Sequence, residues 1–323
     1  MPNHNLSVEN ERLLLQTCMG ITSSETLFIM HTPRRKSEAL RFVEAGRNLG
    51  LKVTSEAVSE TLQKSDKLPG PVMTGFSSAS VILLLVSGFQ NQIFGHHPVK
   101  DQAVERGARI GFVTIPIGEF DPKKTERIAH VSRSMGQLLT EAKEAYLTSS
   151  LGTDIWMDLT GRKAVSFTNF LREPGAWGAL PDYAETAIPP IEGSTQGTLI
   201  VDGTIIGVGL LTSPIQLDIQ NGKIIRFDTT REAFAFKSLL EKGEGEIFSV
   251  AELGLGVNEF VTQFDGSFED KKILGSGHFG IGGNLDLGGR LASTVHLDVI
   301  LRKVSLQLDG KWLLRDGKLA QKI

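Results

Sequence analysis

The sequence has one cysteine, no long hydrophobic run and no marked excess of either charge. Among its 323 residues Cys18 has no second cysteine to pair with, so no intrachain disulfide holds the fold, a usage that fits a reducing cytoplasm. The longest aliphatic stretch, Val81-Ile82-Leu83-Leu84-Leu85-Val86, falls far short of the roughly 20 apolar residues of a membrane helix and reads as a buried strand. Lys and Arg number 34 against 37 Asp and Glu, for a formal charge of −3, and the basic residues are spread along the chain. That distribution gives no reason to expect nucleic acid or an anionic membrane as a partner. The start, Met-Pro-Asn-His-Asn, lacks the basic and apolar segments of a secretory signal, so the expectation is a cytoplasmic protein. No internal repeat or low-complexity tract is visible.

What is present is an ordinary globular composition, 40% hydrophobic and 22% charged, long enough for two domains. The first half alternates short apolar runs with segments of helical period, as βα units around a mostly parallel sheet do. A helix is expected from Ser7 to about Met19, and a strand at Leu27 to Met30. Pro33 then opens a helix with Leu40, Val43 and Leu49 on one face, and Gly50 stops it. Strands follow at Val81 to Val86 and Ile110 to Ile115, with helices near Val99 to Arg106 and Lys123 to Ala145.

Around Ser149-Ser150-Leu151-Gly152 the pattern changes to short strands separated by the hairpin dipeptides Asp202-Gly203, Asn221-Gly222, Asp309-Gly310 and Asp316-Gly317. One helix interrupts them, Ala233 to Lys242, with Thr229 and Glu232 as its capping pair and Gly243 at its end. The predicted architecture is therefore an α/β domain over residues 1–150, followed by a β-rich α+β domain over 151–323.

Four pieces of the second half can carry chemistry. In Ser293 to Leu301 the apolar residues Val295, Leu297 and Val299 alternate, so on a strand His296 and Asp298 share the opposite face, roughly 7 Å apart along the backbone. That offers one imidazole and one carboxylate to a single ion, although a half-exposed surface strand has the same pattern. His278 lies within a glycine-dense stretch, Gly275 to Gly289, where the backbone can approach an ion or substrate closely; a plain glycine-rich connection is the bland alternative. The Gly275-x-Gly277-x-x-Gly280 spacing mimics a dinucleotide fingerprint, but it lacks a good preceding strand and a following helix. Glu252 sits among small and apolar residues, and a buried carboxylate needs a partner. Glu185 and Glu192 lie in a turn-rich segment after Leu180-Pro181-Asp182. Together Glu185, Glu252, His278, His296 and Asp298 form a donor set suited to Zn, Mn, Co or Fe rather than Ca or a thiolate-bound metal.

These motifs resemble the M29 metallo-aminopeptidases. The carriers are Glu185, Pro190-x-Glu192-Gly193-Ser194-x-x-Gly197-Thr198, Ala251-Glu252-Leu253-Gly254-Leu255-Gly256-x-Asn258, Gly275-x-x-His278, His296-x-Asp298 and Gly152-Thr153-Asp154. The resemblance implies a metal-dependent hydrolase of an amide or short peptide, with two Zn, Mn or Co ions on Glu185, Glu252, His278, His296 and Asp298. One of Glu185 and Glu252 would then serve as the base, and the protein would be a homodimer. One departure is Leu285, where those peptidases carry tyrosine. Glu173-Pro174-Gly175-Ala176-Trp177, Pro190 to Val201 and Thr294 to Arg302 are similar instead to the 2,5-dihydroxypyridine 5,6-dioxygenases of the same superfamily. That likeness implies one Fe(II) bound by His296 and Asp298, with Glu252 standing where those enzymes have their other histidine and His278 available from a different position. The alternative function is thus a ring-cleaving dioxygenase of a heteroaromatic. A small-molecule binding protein without catalysis is the third.

Overall fold

The structure, a computed structural model, describes residues 8–62, 67–86, 94, 97–113, 118, 120–181 and 184–323. Ser7, Ile115 and Asp182, named above, lie outside these. The chain forms two compact units, one of Met1–Arg127 with Thr168–Tyr183, the other of Ile128–Phe167 with Ala184–Ile323.

Unit 1 is a doubly wound α/β layer. Its strands are β1 (Thr26–His31), β2 (Lys52–Ala57), β3 (Val81–Leu85), β4 (Arg109–Val113) and β8 (Trp177–Leu180), all parallel in the order β2-β1-β3-β4-β8. Parallel strands covered on both faces read as unbroken apolar runs, and β3 and β4 are buried throughout. Leu27, Ile29, Val81, Leu83 and Leu85 pack with Leu14 and Phe42 of the helices α1 (Glu9–Thr17) and α2 (Lys36–Asn48). The alternate residues Phe28, Met30, Ile82 and Leu84 pack on the other face against α3 (Gly70–Ser78) and α4 (Pro98–Glu105), through Phe76 and Val99.

One expectation changes here. Leu40 is exposed, because Ala39, Phe42, Val43 and Gly46 form the buried stripe of α2 and Leu40 lies off that stripe. Gly50 does end the turn after α2, at φ +80°. The edge strand β2 and the glycine- and serine-containing α3 were not anticipated, since neither has a strong apolar period.

The long helix α5 (Pro122–Glu141) stops before Ala145, which belongs to a strand. The units also do not divide at one point near residue 150. The boundary falls inside α5, whose Ile128, Val131, Met135 and Leu139 enter the core of unit 2, while β8 returns to the parallel sheet of unit 1.

Unit 2 contains two largely antiparallel sheets. Eight strands form one, in the order β14 (Lys223–Phe227), β13 (Ile215–Gln220), β10 (Gln196–Val201), β6 (Asp154–Asp158), β5 (Glu144–Thr148), β18 (Ser305–Leu308), β19 (Lys311–Arg315) and β20 (Lys318–Leu319). The other has seven: β12 (Gly209–Leu210), β11 (Thr204–Ile205), β17 (His296–Leu301), β16 (Gly277–Gly282), β15 (Val250–Gly256), β9 (Glu185–Ile188) and β7 (Val165–Phe167). One apolar cluster joins them, with Leu147, Ile155, Leu199 and Leu217 from the first and Leu253, Leu255, Phe279, Ile281, Val299 and Leu301 from the second.

Three of the four expected dipeptides turn hairpins with both residues at positive φ: Asn221-Gly222, Asp309-Gly310 and Asp316-Gly317. Asp202-Gly203 instead carries the chain from β10 of one sheet to β11 of the other. Gly203 presses on the Ile300 carbonyl, to which its own amide donates, and leaves no room for a Cβ. The helix α6 (Arg231–Leu240) is capped by Thr230, one residue later than expected, whose hydroxyl accepts from Ala233 N. Among the described residues no helix is long and apolar enough to cross a membrane.

Candidate metal centre

The seven-stranded sheet has two chemically opposite faces because strand side chains alternate. Its apolar face supplies the cluster above. The other face carries Glu185 on β9, Glu252 on β15, His278 on β16, and His296 and Asp298 on β17, so four adjacent strands bring all five expected residues to one place.

The register shows why this stretch is rich in glycine. Gly280 lies between Glu252 and Asp298 across the sheet, Gly254 opposite His278, Gly256 opposite Glu185, and Gly282 opposite His296. The His278 ring thus leans over Gly254, and the His296 ring and Glu252 over Gly280, neighbours that have no side chain. A Cβ at Gly280 would meet the His296 ring at 2.5 Å and Glu252 Cβ at 2.9 Å, and one at Gly254 would collide with the His278 ring. The glycine-dense stretch that carries His278 is therefore a central strand as far as Gly282, and not the plain connection that was its bland alternative. Only the short 3-10 turn Leu285–Leu287 follows it, so the fingerprint spacing lacks the α-helix of a dinucleotide site, as expected.

Among the described residues two groups of ligand atoms gather closely enough to hold an ion, and they share Glu252. The outer group is Glu252, His296 and Asp298, with His296 Nε2 2.9 Å from Glu252 Oε2 and 3.2 Å from Asp298 Oδ1. The inner group is Glu185, Glu252 and His278, with His278 Nε2 3.3 Å from Glu252 Oε1 and 4.0 Å from Glu185 Oε2. Glu185, Glu252, His278 and Asp298 are buried, and only the His296 side chain, 32% accessible, reaches solvent.

The far nitrogen of each ring distinguishes the groups. A metal-bound histidine donates its second N–H to a fixed acceptor. His296 Nδ1 lies 2.7 Å from the Gly283 carbonyl oxygen, which only accepts, so the proton is on Nδ1. Nε2 of the neutral ring then points a lone pair at two carboxylates, an arrangement that needs a cation between them or a second proton on the ring. His278 Nδ1 is buried and, among the described residues, has no hydrogen-bond partner. Its proton therefore belongs on Nε2, aimed at Glu252 Oε1. The outer group fits a metal ion; in the inner group His278 serves as a hydrogen-bond donor to Glu252.

Without an ion, the second proton on the His296 ring takes that place. Burial alone would lower the pKa of the His296 imidazole, but hydrogen bonds and charge from Asp298 and Glu252 hold it well above its ordinary value. Burial would raise the Glu252 carboxyl, yet hydrogen bonds from His278 and His296 outweigh that and hold it far below the usual carboxylate range. Asp298 is likewise lowered, against the effect of burial, by the Lys271 charge and by His296.

Lys271 is the residue that sequence reasoning missed. It lies in the short 3-10 turn Phe268–Lys272, is buried, and places Nζ 3.1 Å from Glu185 Oε1 and 3.0 Å from Asp298 Oδ2. No sequence signal separates it from Lys272, which pairs with Glu269 one turn back. Glu192, the other acid of the turn-rich segment, pairs with Arg162 and accepts from Arg290 N, so it is a loop anchor. His31 bonds the Thr32 carbonyl, His97 caps α4 by accepting from Val99 N, and His130 is exposed on α5.

The family model described as NicX, 2,5-dihydroxypyridine 5,6-dioxygenase, matches residues 12–321. The 2,5-dihydroxypyridine 5,6-dioxygenase of Pseudomonas putida KT2440 is 25% identical over 238 residues, covering 69% of this chain and 67% of that protein. The solved structure of 2,5-dihydroxypyridine dioxygenase from the same strain superposes with a TM-score of 0.80 at 19% identity, covering 99% of both chains. Wild-type AmpT from Thermus thermophilus, an M29 aminopeptidase T, gives 0.70 at 13% identity over 97% of this chain and 98% of that one. At these identities the two structural likenesses show the fold alone.

Proposed function

The chain belongs to the 2,5-dihydroxypyridine 5,6-dioxygenase family, and from that membership we propose that it is a ring-opening dioxygenase of small hydroxylated nitrogen heterocycles. One divalent iron would be held by Glu252, His296 and Asp298. The observation that carries this reading is the difference between the two rings: His296 has its far N–H anchored on Gly283 O, as a ligand requires, and His278 does not. Dioxygenase chemistry asks for one iron on a small face of imidazole and carboxylate donors with positions left open.

When bound, the iron supplies the redox chemistry of dioxygen insertion. The protein's own residues arrange the face around it. Gly283 O fixes the His296 tautomer, Lys271 holds Asp298 through Oδ2 and leaves Oδ1 toward His296, and His278 holds Glu252 through Oε1 and leaves Oε2 toward His296. His296 is the open side, where a flat ring can arrive. The buried sides exclude water, which protects a reactive intermediate from hydrolysis. The Glu252 in this set replaces the second histidine expected from the family resemblance, giving one imidazole and two carboxylates.

The two-metal hydrolase remains a second reading because the inner group shares Glu252 with the outer one. Glu185 and Glu252 would then be ligands together, with one of them as base. Anaerobic loading with Fe(II), elemental analysis and oxygen uptake on 2,5-dihydroxypyridine separate the readings. About one iron per chain with oxygen consumption supports the dioxygenase. About two Zn, Mn or Co ions per chain, with hydrolysis of amides and no oxygen uptake, would replace it by the hydrolase.

A further inference from the structure

We propose that the Lys271 ammonium is a built-in second cation, which occupies the space between Glu185 and Asp298 and limits the centre to one metal ion. This rests on the one-ion reading above and supplies a cause for it.

Lys271 Nζ bridges a carboxylate of the inner group to one of the outer group, Glu185 Oε1 at 3.1 Å and Asp298 Oδ2 at 3.0 Å. A metal ion in the inner group would draw on the same Glu185 carboxylate, through Oε2 on the His278 side, and so would sit beside the ammonium that already holds Oε1. Three buried carboxylates carry three negative charges; the ammonium offsets one, and a single divalent ion offsets the rest. Unpaired buried charge is costly, so this balance selects one ion over none or two.

The ammonium is also held from behind. Asp270, next in the turn, is buried and accepts from Thr204 Oγ1 and from the Asp265 and Gly266 amides. Thr204 lies on β11, which pairs with β17 beside Asp298, so the turn is tied to the sheet that bears the ligands. The Ser276 hydroxyl donates to the Lys271 carbonyl, and the Asn258 amide to that of Lys272. Phe268 stacks its ring 4.3 Å from Nζ. A charge placed by this many fixed contacts does not swing away to admit an ion.

The test is metal stoichiometry by equilibrium dialysis against excess Mn(II), then elemental analysis, on the full-length wild type, Lys271→Met, and Lys271→Met combined with Glu185→Gln. Methionine keeps the unbranched stem and removes the charge. The wild type is expected to hold about one ion and Lys271→Met about two, the second more weakly; the double variant returns to about one. If Lys271→Met folds poorly, Lys271→Gln, which also removes the charge, is read in its place: about two ions supports the proposal and about one overturns it. One ion in both wild type and Lys271→Met overturns the proposal while leaving the one-ion reading intact. A double variant that takes up about two ions overturns it as well. Two ions in the wild type refute the one-ion reading itself, and the proposal with it.

Discussion

The parallel sheet of unit 1 and the seven-stranded sheet of unit 2 solve the same burial problem with opposite consequences. In unit 1 both faces are apolar, each covered by its own helices, and successive residues such as Phe28 and Ile29 go to different cores. No position on β3 or β4 is free for a charged group other than Arg109 at the edge of β4. The unit 2 sheet packs only Leu253, Phe279, Val299 and their neighbours into its core. Its other face is left for three carboxylates, two imidazoles and a lysine, with glycines providing the room. One sheet is optimised for stability; the other holds a charged arrangement that is fully balanced only when a cation binds.

Substitutions sharpen this contrast. Asp298→Ala or His296→Ala should weaken metal binding by more than about 100-fold while the chain stays folded, read by equilibrium dialysis and circular dichroism. Full metal content in both would misplace the centre. Leu83→Ala, at the middle of the unit 1 sheet, should cost about 2–5 kcal/mol in denaturant unfolding and leave metal affinity unchanged. Gly280→Ala should cost about 1–3 kcal/mol and also displace the His296 ring, lowering metal content. Gly111→Ala in unit 1, whose Cβ would meet Leu180 Cδ1 at 2.5 Å, should show a similar stability loss without the metal loss.

Smaller effects come from the periphery of unit 2. Thr230→Ala removes the α6 cap for about 1 kcal/mol. Burial would raise the Glu192 carboxyl, but backbone hydrogen bonds and Arg162 hold it below its ordinary value of 4.5. A depressed folded pKa stabilises above the unfolded value and is lost as pH falls through the folded one. Glu192→Gln should therefore flatten the acid limb of the stability curve by less than about 1 kcal/mol.

Much of this was legible because apolar period and turn chemistry are local. The unbroken run at 81–86 gave β3, and Asn221-Gly222 gave a hairpin. The alternation around Val295, Leu297 and Val299 placed His296 and Asp298 on one face. What was not legible depends on register. The pairing of Glu252, Gly280 and Asp298 across three strands is set by long-range partners, so the sequence alone did not show which side chain each glycine makes room for. Lys271 was invisible for the same reason: beside Lys272 and Glu269 it reads as a solvated charge until the turn buries it. Asp202-Gly203 read as a hairpin because its composition is right, while its neighbours belong to different sheets.

The central claim is a single ion at the outer group. Anomalous diffraction at the iron edge, from crystals loaded anaerobically with Fe(II), locates it directly. The account predicts one peak, about 2.0–2.3 Å from His296 Nε2, Glu252 Oε2 and Asp298 Oδ1, with the Lys271 ammonium still between Glu185 and Asp298. Two peaks, or one centred on His278 and Glu185, would contradict it.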